Sequence, residues 1–142
     1  MSETRREIQV GVALVAALFI LVFGLYVQLH GDFGPGGGFQ AGVIFASALI
    51  LYGMVFGLDA VYRVLPVAAL RWLIAAGVFL YGGVGVATLL LGGGFLDYNM
   101  LADEPSHGQH LGIFLVELGV GITVASVMIA VFLAFAGRRE RC

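Results

Sequence analysis

The chain has 142 residues, 61% of them hydrophobic and 11% charged, with a formal net charge of −2 and a mean hydropathy of +1.03. Soluble domains carry about 25% charged residues, so this composition excludes a water-soluble fold and argues against nucleic acid as a partner. Cys142 is the single cysteine, so neither a disulfide nor a cysteine metal site can form within one chain, and no metal or cofactor is expected.

Charged residues divide the sequence into four long apolar stretches, each sufficient to cross a hydrocarbon layer of about 30 Å. They predict an all-α integral membrane protein that forms one domain over residues 1–142. The approximate transmembrane spans are residues 8–30, 37–58, 72–93 and 110–136. The first apolar run exceeds the 7–15 residues typical of a signal peptide core, so we interpret it as a retained helix.

The basic residues indicate the orientation of the spans. All of them are arginines, and they precede the first span, lie between the second and third, or follow the fourth: Arg5, Arg6, Arg63, Arg71, Arg138, Arg139 and Arg141. Cytoplasmic loops carry an excess of positive charge. Both termini and the middle loop are therefore expected on the cytoplasmic side.

A glycine-rich segment separates the first two spans, from His30 through Pro35, Gly36, Gly37 and Gly38 to Phe39 and Gln40. Glycine and proline cannot continue a helix here, so the segment predicts a break that exposes backbone groups to a neighbour or an ion. An ordinary tight turn is the alternative. A phosphate-binding loop is disfavoured because the sequence lacks GxxxxGK[ST].

Small residues also recur four apart within the second span, as Gly42 with Ala46 and Gly53 with Gly57, a spacing that permits close helix packing. The loop over residues 92–110 is acidic and contains His107 and His110. It fits a solvated loop better than a cation entrance or a zinc site. Tyrosines near the span ends, including Tyr81 and Tyr98, are interpreted as membrane-interface residues.

The fourth span carries one carboxylate, Glu117, at an expected intermediate depth, about two turns beyond a helix start near Leu111. One helix face collects small residues: Gly112, Gly119, Thr123, Ser126, Ala130 and Ala134. Glu117 lies nearly opposite, on a face shared with His110. A charged group should not face lipid, so this span is expected to have protein or water on both sides, which suggests partner subunits.

The segment His30-x4-Pro35-Gly36-Gly37-Gly38-Phe39-Gln40-x-Gly42, followed by residues 112–124 around Glu117, closely resembles the B subunit of the Mrp-type multisubunit Na⁺/H⁺ antiporters, the MnhB family. The resemblance covers essentially the whole chain. One departure is Ala41, where the family commonly carries glycine, and it affects only the packing at the start of the second span.

The resemblance implies an accessory subunit of a cation/proton antiporter in a prokaryotic cytoplasmic membrane, surrounded by lipid and by subunits of the A, C, D, E, F and G types. Na⁺ and H⁺ would be the transported ions, and no enzyme activity is implied. The chain has no lysine, which agrees with an accessory role. The alternatives are a structural subunit of a related hydrogenase or complex I-like membrane arm, and a small multidrug-type homodimeric transporter.

Two groups of candidate residues follow. Glu117 is expected to exchange protons or bind a cation, with His110 on the route from the loop, and a purely structural carboxyl group is the alternative. The second group is expected to support the break and the assembly with partners: His30, Pro35, Gly36, Gly37, Gly38, Phe39, Gln40, Gly42, Gly119 and Thr123. No residue is expected to be catalytic or to bind a metal.

Overall fold

The computed structural model describes residues 2–31 and 36–140, which form five α-helices and one 3-10 helix. The elements are α1 (Glu3–Leu29), α2 (Gly38–Phe56), α3 (Leu58–Val64), α4 (Val67–Leu90), the 3-10 helix (Tyr98–Leu101) and α5 (Pro105–Glu140). Four of them, α1, α2, α4 and α5, are long and apolar enough to cross a membrane. The predicted all-α class with four candidate membrane spans is confirmed.

Glycine and proline set the limits of several helices. Gly37 precedes α2 with φ of 139°, and Gly57 follows it with φ of 90°. Residues other than glycine rarely adopt either φ value. Pro66 precedes α4, and Pro105 occupies the first position of α5, where a missing N–H costs nothing. Gly57 therefore ends α2, and apart from its chain neighbours no residue that the structure describes would touch a Cβ atom there, so it is not the packing residue that its spacing from Gly53 predicted.

Helix α5 is the centre of the fold, since α2 and α4 both pack along it and α1 packs on α2. Small residues make these contacts close. A Cβ atom on Gly77 of α4 would lie 2.7 Å from the carbonyl oxygen of Gly119, and one on Gly42 of α2 would lie 2.8 Å from the carbonyl oxygen of Gly121. The helices thus approach almost backbone to backbone, which is how membrane helices gain dispersion energy without a hydrophobic effect.

The main apolar core lies at one end of the bundle, where α2, α3, α4 and α5 meet. Its buried members are Ala46, Leu58, Val61, Leu70, Ile129 and Leu133. The short helix α3 was not predicted. It lies beside the C-terminal end of α5, because the Tyr62 hydroxyl would be 3.7 Å from a Cβ atom on Gly137, and Tyr62 also neighbours Arg71 and Arg138.

Helices α1, α4 and α5 begin before the spans that hydropathy predicts, whereas α2 lies within its predicted span. Helix α4 begins at residue 67 rather than 72, and α5 runs over residues 105–140 rather than 110–136. Hydropathy identifies only the apolar residues that can lie in the hydrocarbon layer of the membrane. A helix can continue through polar residues as long as its backbone hydrogen bonds are maintained. The first twelve residues of α5 extend by about 18 Å along the axis before Glu117 is reached.

The contact of α4 with α5 makes a specific prediction. Gly77→Ala would place a methyl group against Gly119 and Thr123, so we expect it to cost about 1–3 kcal/mol of stability through overpacking. Gly83→Ala on the same helix is the matched control, since no atom lies within 4 Å of its added methyl group. The measurement is the thermal unfolding midpoint of each purified variant in detergent. A Gly77→Ala midpoint at or above that of Gly83→Ala would contradict the close packing.

Candidate functional site

The Glu117 carboxylate lies where α1 ends and α2 begins. A Cβ atom on Gly31 would overlap this carboxylate, 2.9 Å from its carbon atom Cδ and from Oε1. A Cβ atom on Gly37 would lie 3.2 Å from Oε1. The carboxylate is therefore bordered by bare backbone on two sides, and these two glycines make room for it.

The backbone at Glu117 is held by the first residue of α2. A Cβ atom on Gly38 would overlap the Glu117 carbonyl group and would lie 3.0 Å from the Glu117 Cα. One turn later, Gly42 approaches the Gly121 carbonyl in the same way. Because two successive glycines of α2 contact α5 this closely, the depth of Glu117 relative to α2 is fixed by sterics.

The carboxylate also lies near the positive end of a helix dipole. The first hydrogen bond of α2 runs from the Ala41 N–H to the Gly37 carbonyl at 3.0 Å, so the N–H groups of residues 38–40 have no acceptor within the helix. Gly37 supplies no side-chain cap. An anion at a helix N-terminus typically gains about 0.3–1 kcal/mol. The start of α2 is thus a favourable neighbour for the Glu117 carboxylate.

Tyr98, in the 3-10 helix outside the spans, covers the polar extension of α5. A Cβ atom on Gly112 would overlap the Tyr98 ring, and one on Gly108 would overlap the Tyr98 carbonyl. Partial burial raises the pKa of the Tyr98 hydroxyl above its usual value of 10.0, and the charges of Tyr81 and Glu117 raise it further. The Tyr98 hydroxyl is therefore within electrostatic range of the candidate carboxylate.

The predicted residues of the glycine-rich segment lie around this site. His30 ends α1, where its N–H donates to the Tyr26 carbonyl at 3.0 Å and its ring stacks on the Tyr26 ring with centroids 5.1 Å apart. A Cβ atom on Gly36 would lie 2.9 Å from the Val27 carbonyl oxygen, so this glycine lies over the end of α1. Pro35 falls outside the described residues.

The next two residues of the segment differ in their surroundings. The Gln40 side chain turns back, with Oε1 3.1 Å from the Cβ position of Gly37. Phe39 is 61% exposed and projects away from the bundle. Ala41, the departure from the family pattern, is fully buried at 0% exposure, so α2 accommodates its methyl group.

Gly119 and Thr123 lie on the other side of α5 and do not join the Glu117 site. Gly119 contacts Gly77 and the Tyr81 backbone, and the Thr123 hydroxyl donates to the Gly119 carbonyl at 2.9 Å. Helix α5 thus has protein on both sides, as predicted, but α1, α2 and α4 of the same chain supply it. The expectation that partner subunits also cover Glu117 stays a prediction, because this residue remains partly exposed although glycines let the chain's own helix ends reach it.

The histidines of the loop are not brought together with carboxylates into a metal site. His107 lies 3.6 Å from Glu104 in an exposed pair, and within residues 2–31 and 36–140 no three histidine, cysteine or acidic side chains could hold one metal ion. His110 lies on the exposed part of α5, seven residues before Glu117, which is about 10 Å along the helix axis. The structure does not test its role in proton transfer.

Sequence reasoning missed two residues near the site. Tyr98 was interpreted as an interface residue, yet its ring packs on Gly112 and its carbonyl on Gly108, and the charge of Glu117 raises its pKa. Gln28 is only 7% exposed, and its Oε1 would lie 2.6 Å from a Cβ atom on Gly121. The Tyr98 contacts follow a small-residue spacing, Gly108-x3-Gly112, that could have indicated a close neighbour.

The chain is similar in sequence to known proteins. Residues 8–130 match the model of a family described as a domain related to the MnhB subunit of Na⁺/H⁺ antiporter. The chain is also 34% identical over 132 residues to proteins of Staphylococcus aureus strains Newman and COL, each named "Putative antiporter subunit mnhB2". These alignments cover 91% of this chain and 93% of each relative.

The contact between Tyr98 and Glu117 can be tested by titration. The difference in absorbance at 295 nm between the unmodified chain and Tyr98→Phe should appear above pH 10, because burial and negative charge both disfavour the phenolate. Glu117→Gln removes that charge and should lower the Tyr98 midpoint, although burial keeps it raised. Glu104→Gln, in the exposed loop, is the control. Equal midpoints in Glu117→Gln and Glu104→Gln would disprove the electrostatic contact.

Proposed function

The chain belongs to the MnhB family of Na⁺/H⁺ antiporter subunits, and we propose from this that it is an accessory membrane subunit of a multisubunit antiporter in which Glu117 lines part of the ion or proton route. The family and its relatives support a transporter subunit rather than an enzyme. The observation that carries the assignment to Glu117 is its carboxylate, set among Gly31, Gly37 and the start of α2.

A carboxylate in this setting has the chemistry to handle either ion. It can accept a proton, and it supplies the oxygen atoms that hard cations such as Na⁺ prefer. A second oxygen is close, because Gln40 Oε1 and Glu117 Oε1 lie 3.1 Å and 3.2 Å from the same Cβ position on Gly37. An ion beside Gly37 would therefore meet one charged and one neutral oxygen ligand.

The surroundings of Glu117 favour exchange with a solvent-facing loop. The carboxylate lies level with the end of α1 and the start of α2. The polar first turns of α5, which include His110 and lie against Tyr98, extend from this level toward the loop. We assign this end to the extracytoplasmic side of a prokaryotic cytoplasmic membrane. The arginines at 63, 71, 138 and 139 lie toward the opposite end, next to α3, which the positive-inside rule assigns to the cytoplasm.

An accessory role fits the composition of the chain. Glu117 is the single charged residue between Gly112 and Ala136, and the sequence has no lysine. Complete proton pathways need a series of ionisable groups across the membrane. We therefore propose that other antiporter subunits, of the A, C, D, E, F and G types, supply the remainder. A hydrogenase or complex I-like arm fits less well, because the relatives are named as antiporter subunits.

The transport role of Glu117 predicts the effect of a neutral isostere. Glu117→Gln cannot release a proton or carry a negative charge, so we expect Na⁺-dependent proton movement by the assembled complex to fall roughly tenfold or more. The assay is proton flux in inverted membrane vesicles after a Na⁺ pulse. Glu104→Gln, an exposed loop carboxylate, should retain full activity.

A second variant tests whether ion exchange depends on the position of the Glu117 carboxylate as well as on its presence. Gly31→Ala keeps Glu117 but adds a methyl group that must displace it, so exchange should also fall. Both variants are compared at equal subunit content, measured by blotting of the purified complex. Full antiport in Glu117→Gln would leave only a structural role for this residue.

The exposed ring of Phe39 predicts a contact with a partner. It lies beside the Glu117 site and is mostly exposed, so Phe39→Ala should reduce recovery of the intact complex by several-fold while leaving the isolated subunit stable. Phe79→Ala is the control, since this ring of α4 is 78% exposed on another helix. The measurement is co-purification of the other subunits. Recovery of an intact complex with Phe39→Ala would exclude an assembly role for this ring.

A further inference from the structure

A narrow cleft lies between α1 and α4, on the combined surface of α2 and α5. Its volume is about 360 Å³. Leu25 and Gln28 of α1 form one side, Leu73 of α4 forms the other, and Phe45 of α2 and Ile122 of α5 lie between them. The lining is apolar except for Gln28 and Ser126, so the cleft is suited to hydrocarbon with one polar contact at its end.

That polar contact has an unmet hydrogen bond. Gln28 is 93% buried, and its amide nitrogen Nε2 has no hydrogen-bond partner in the part of the chain that the structure describes. Leaving such a donor unsatisfied costs about 1–3 kcal/mol. Gln28 also lines the cleft, so its amide is close to any acceptor that enters there. The side chain is therefore suited to donate to an acceptor that enters the cleft.

The dimensions of the cleft decide what kind of molecule fits. Its lining runs along α5 from Leu118 to Ile129, a rise of eleven helical steps or about 16 Å. A helix with side chains is at least about 10 Å across, or roughly 80 Å². A single methylene chain, with carbon contacts near 4 Å, needs only about 20 Å². Over about 16 Å a methylene chain occupies about 320 Å³ and a helix about 1,300 Å³, so the cleft can hold one acyl chain and cannot enclose a partner helix.

We propose that this cleft binds one acyl chain of an ester-linked membrane lipid, with the ester carbonyl accepting a hydrogen bond from the Gln28 amide. Gln28 lies in the last turn of α1, at the helix end where a lipid ester would meet the membrane boundary. The acyl chain then runs from Gln28 along Ile122 and Ala125 toward Ile129. This proposal concerns the fold of the chain alone and does not depend on the antiport role of Glu117.

The test compares two lipids that differ only in the acceptor. The purified full chain in detergent is titrated with palmitoyl-oleoyl phosphatidylglycerol and with its dialkyl ether analogue, and bound lipid is counted by native mass spectrometry. The ester lipid should bind roughly fivefold more tightly, because the ether lacks the carbonyl that Gln28 would use. In Gln28→Leu the two lipids should bind equally. If the unmodified chain binds the ester and ether lipids equally, the proposal is overturned whatever the variants show.

A second pair of variants locates the binding to the cleft. Ala125→Phe fills the cleft with a ring and should abolish retention of both lipids. Val127→Phe adds the same ring on an exposed position of α5 outside the cleft and should bind as the unmodified chain does. Unchanged retention in Ala125→Phe overturns the proposal. So does a photocrosslinker at position 125 that captures another subunit in the assembled complex, since a protein segment would then occupy the cleft.

Discussion

The close approach of Gly38 to the backbone of Glu117 determines the geometry of the whole candidate site. Any side chain at position 38 would overlap the Glu117 carbonyl and hold α2 away from α5. With hydrogen there, the start of α2 and its first-turn N–H groups come next to the carboxylate, and Gly31 and Gly37 leave room for it. The glycine-rich segment is thus best understood as the means by which two helix ends reach one acidic residue.

The same principle explains how α5 can be central without a large buried core. Apolar surface gains little by leaving lipid, so membrane helices associate through dispersion contacts at short range. Gly121 permits this toward α2 and Gly119 permits it toward α4, two residues apart on different faces. The Thr123 hydroxyl donates a hydrogen bond to the Gly119 carbonyl of the same helix, so it does not require a hydrogen-bond acceptor from α4. Helix α5 therefore has fixed neighbours on both sides before any other subunit is present.

Sequence patterns predicted the spans and the small-residue faces because both depend on local spacing. They could not predict which distant residues meet Glu117, since Gly31 and Gly38 lie some eighty positions earlier and no periodicity relates them to α5. The chain's own helix ends supply part of the cover of Glu117, which the sequence assigned to partner subunits alone. Tyr98 and Gln28 were missed for a related reason: an aromatic residue near a span end and an amide in the last turn of a helix have common, unremarkable explanations.

The arrangement of polar and apolar groups limits what this chain can conduct alone. From Glu117 toward the arginine-bearing end, α5 has no further ionisable residue before Arg138, and the core of Val61, Leu70, Ile129 and Leu133 is closed and apolar. An ion that reached Glu117 could not continue along the bundle without crossing this core, which offers no ligand. Under the proposed role of Glu117, the route would leave sideways, near the start of α2 where Phe39 faces outward. A neighbouring subunit would then complete the path, which is the physical argument for proposing an accessory rather than a self-sufficient transporter.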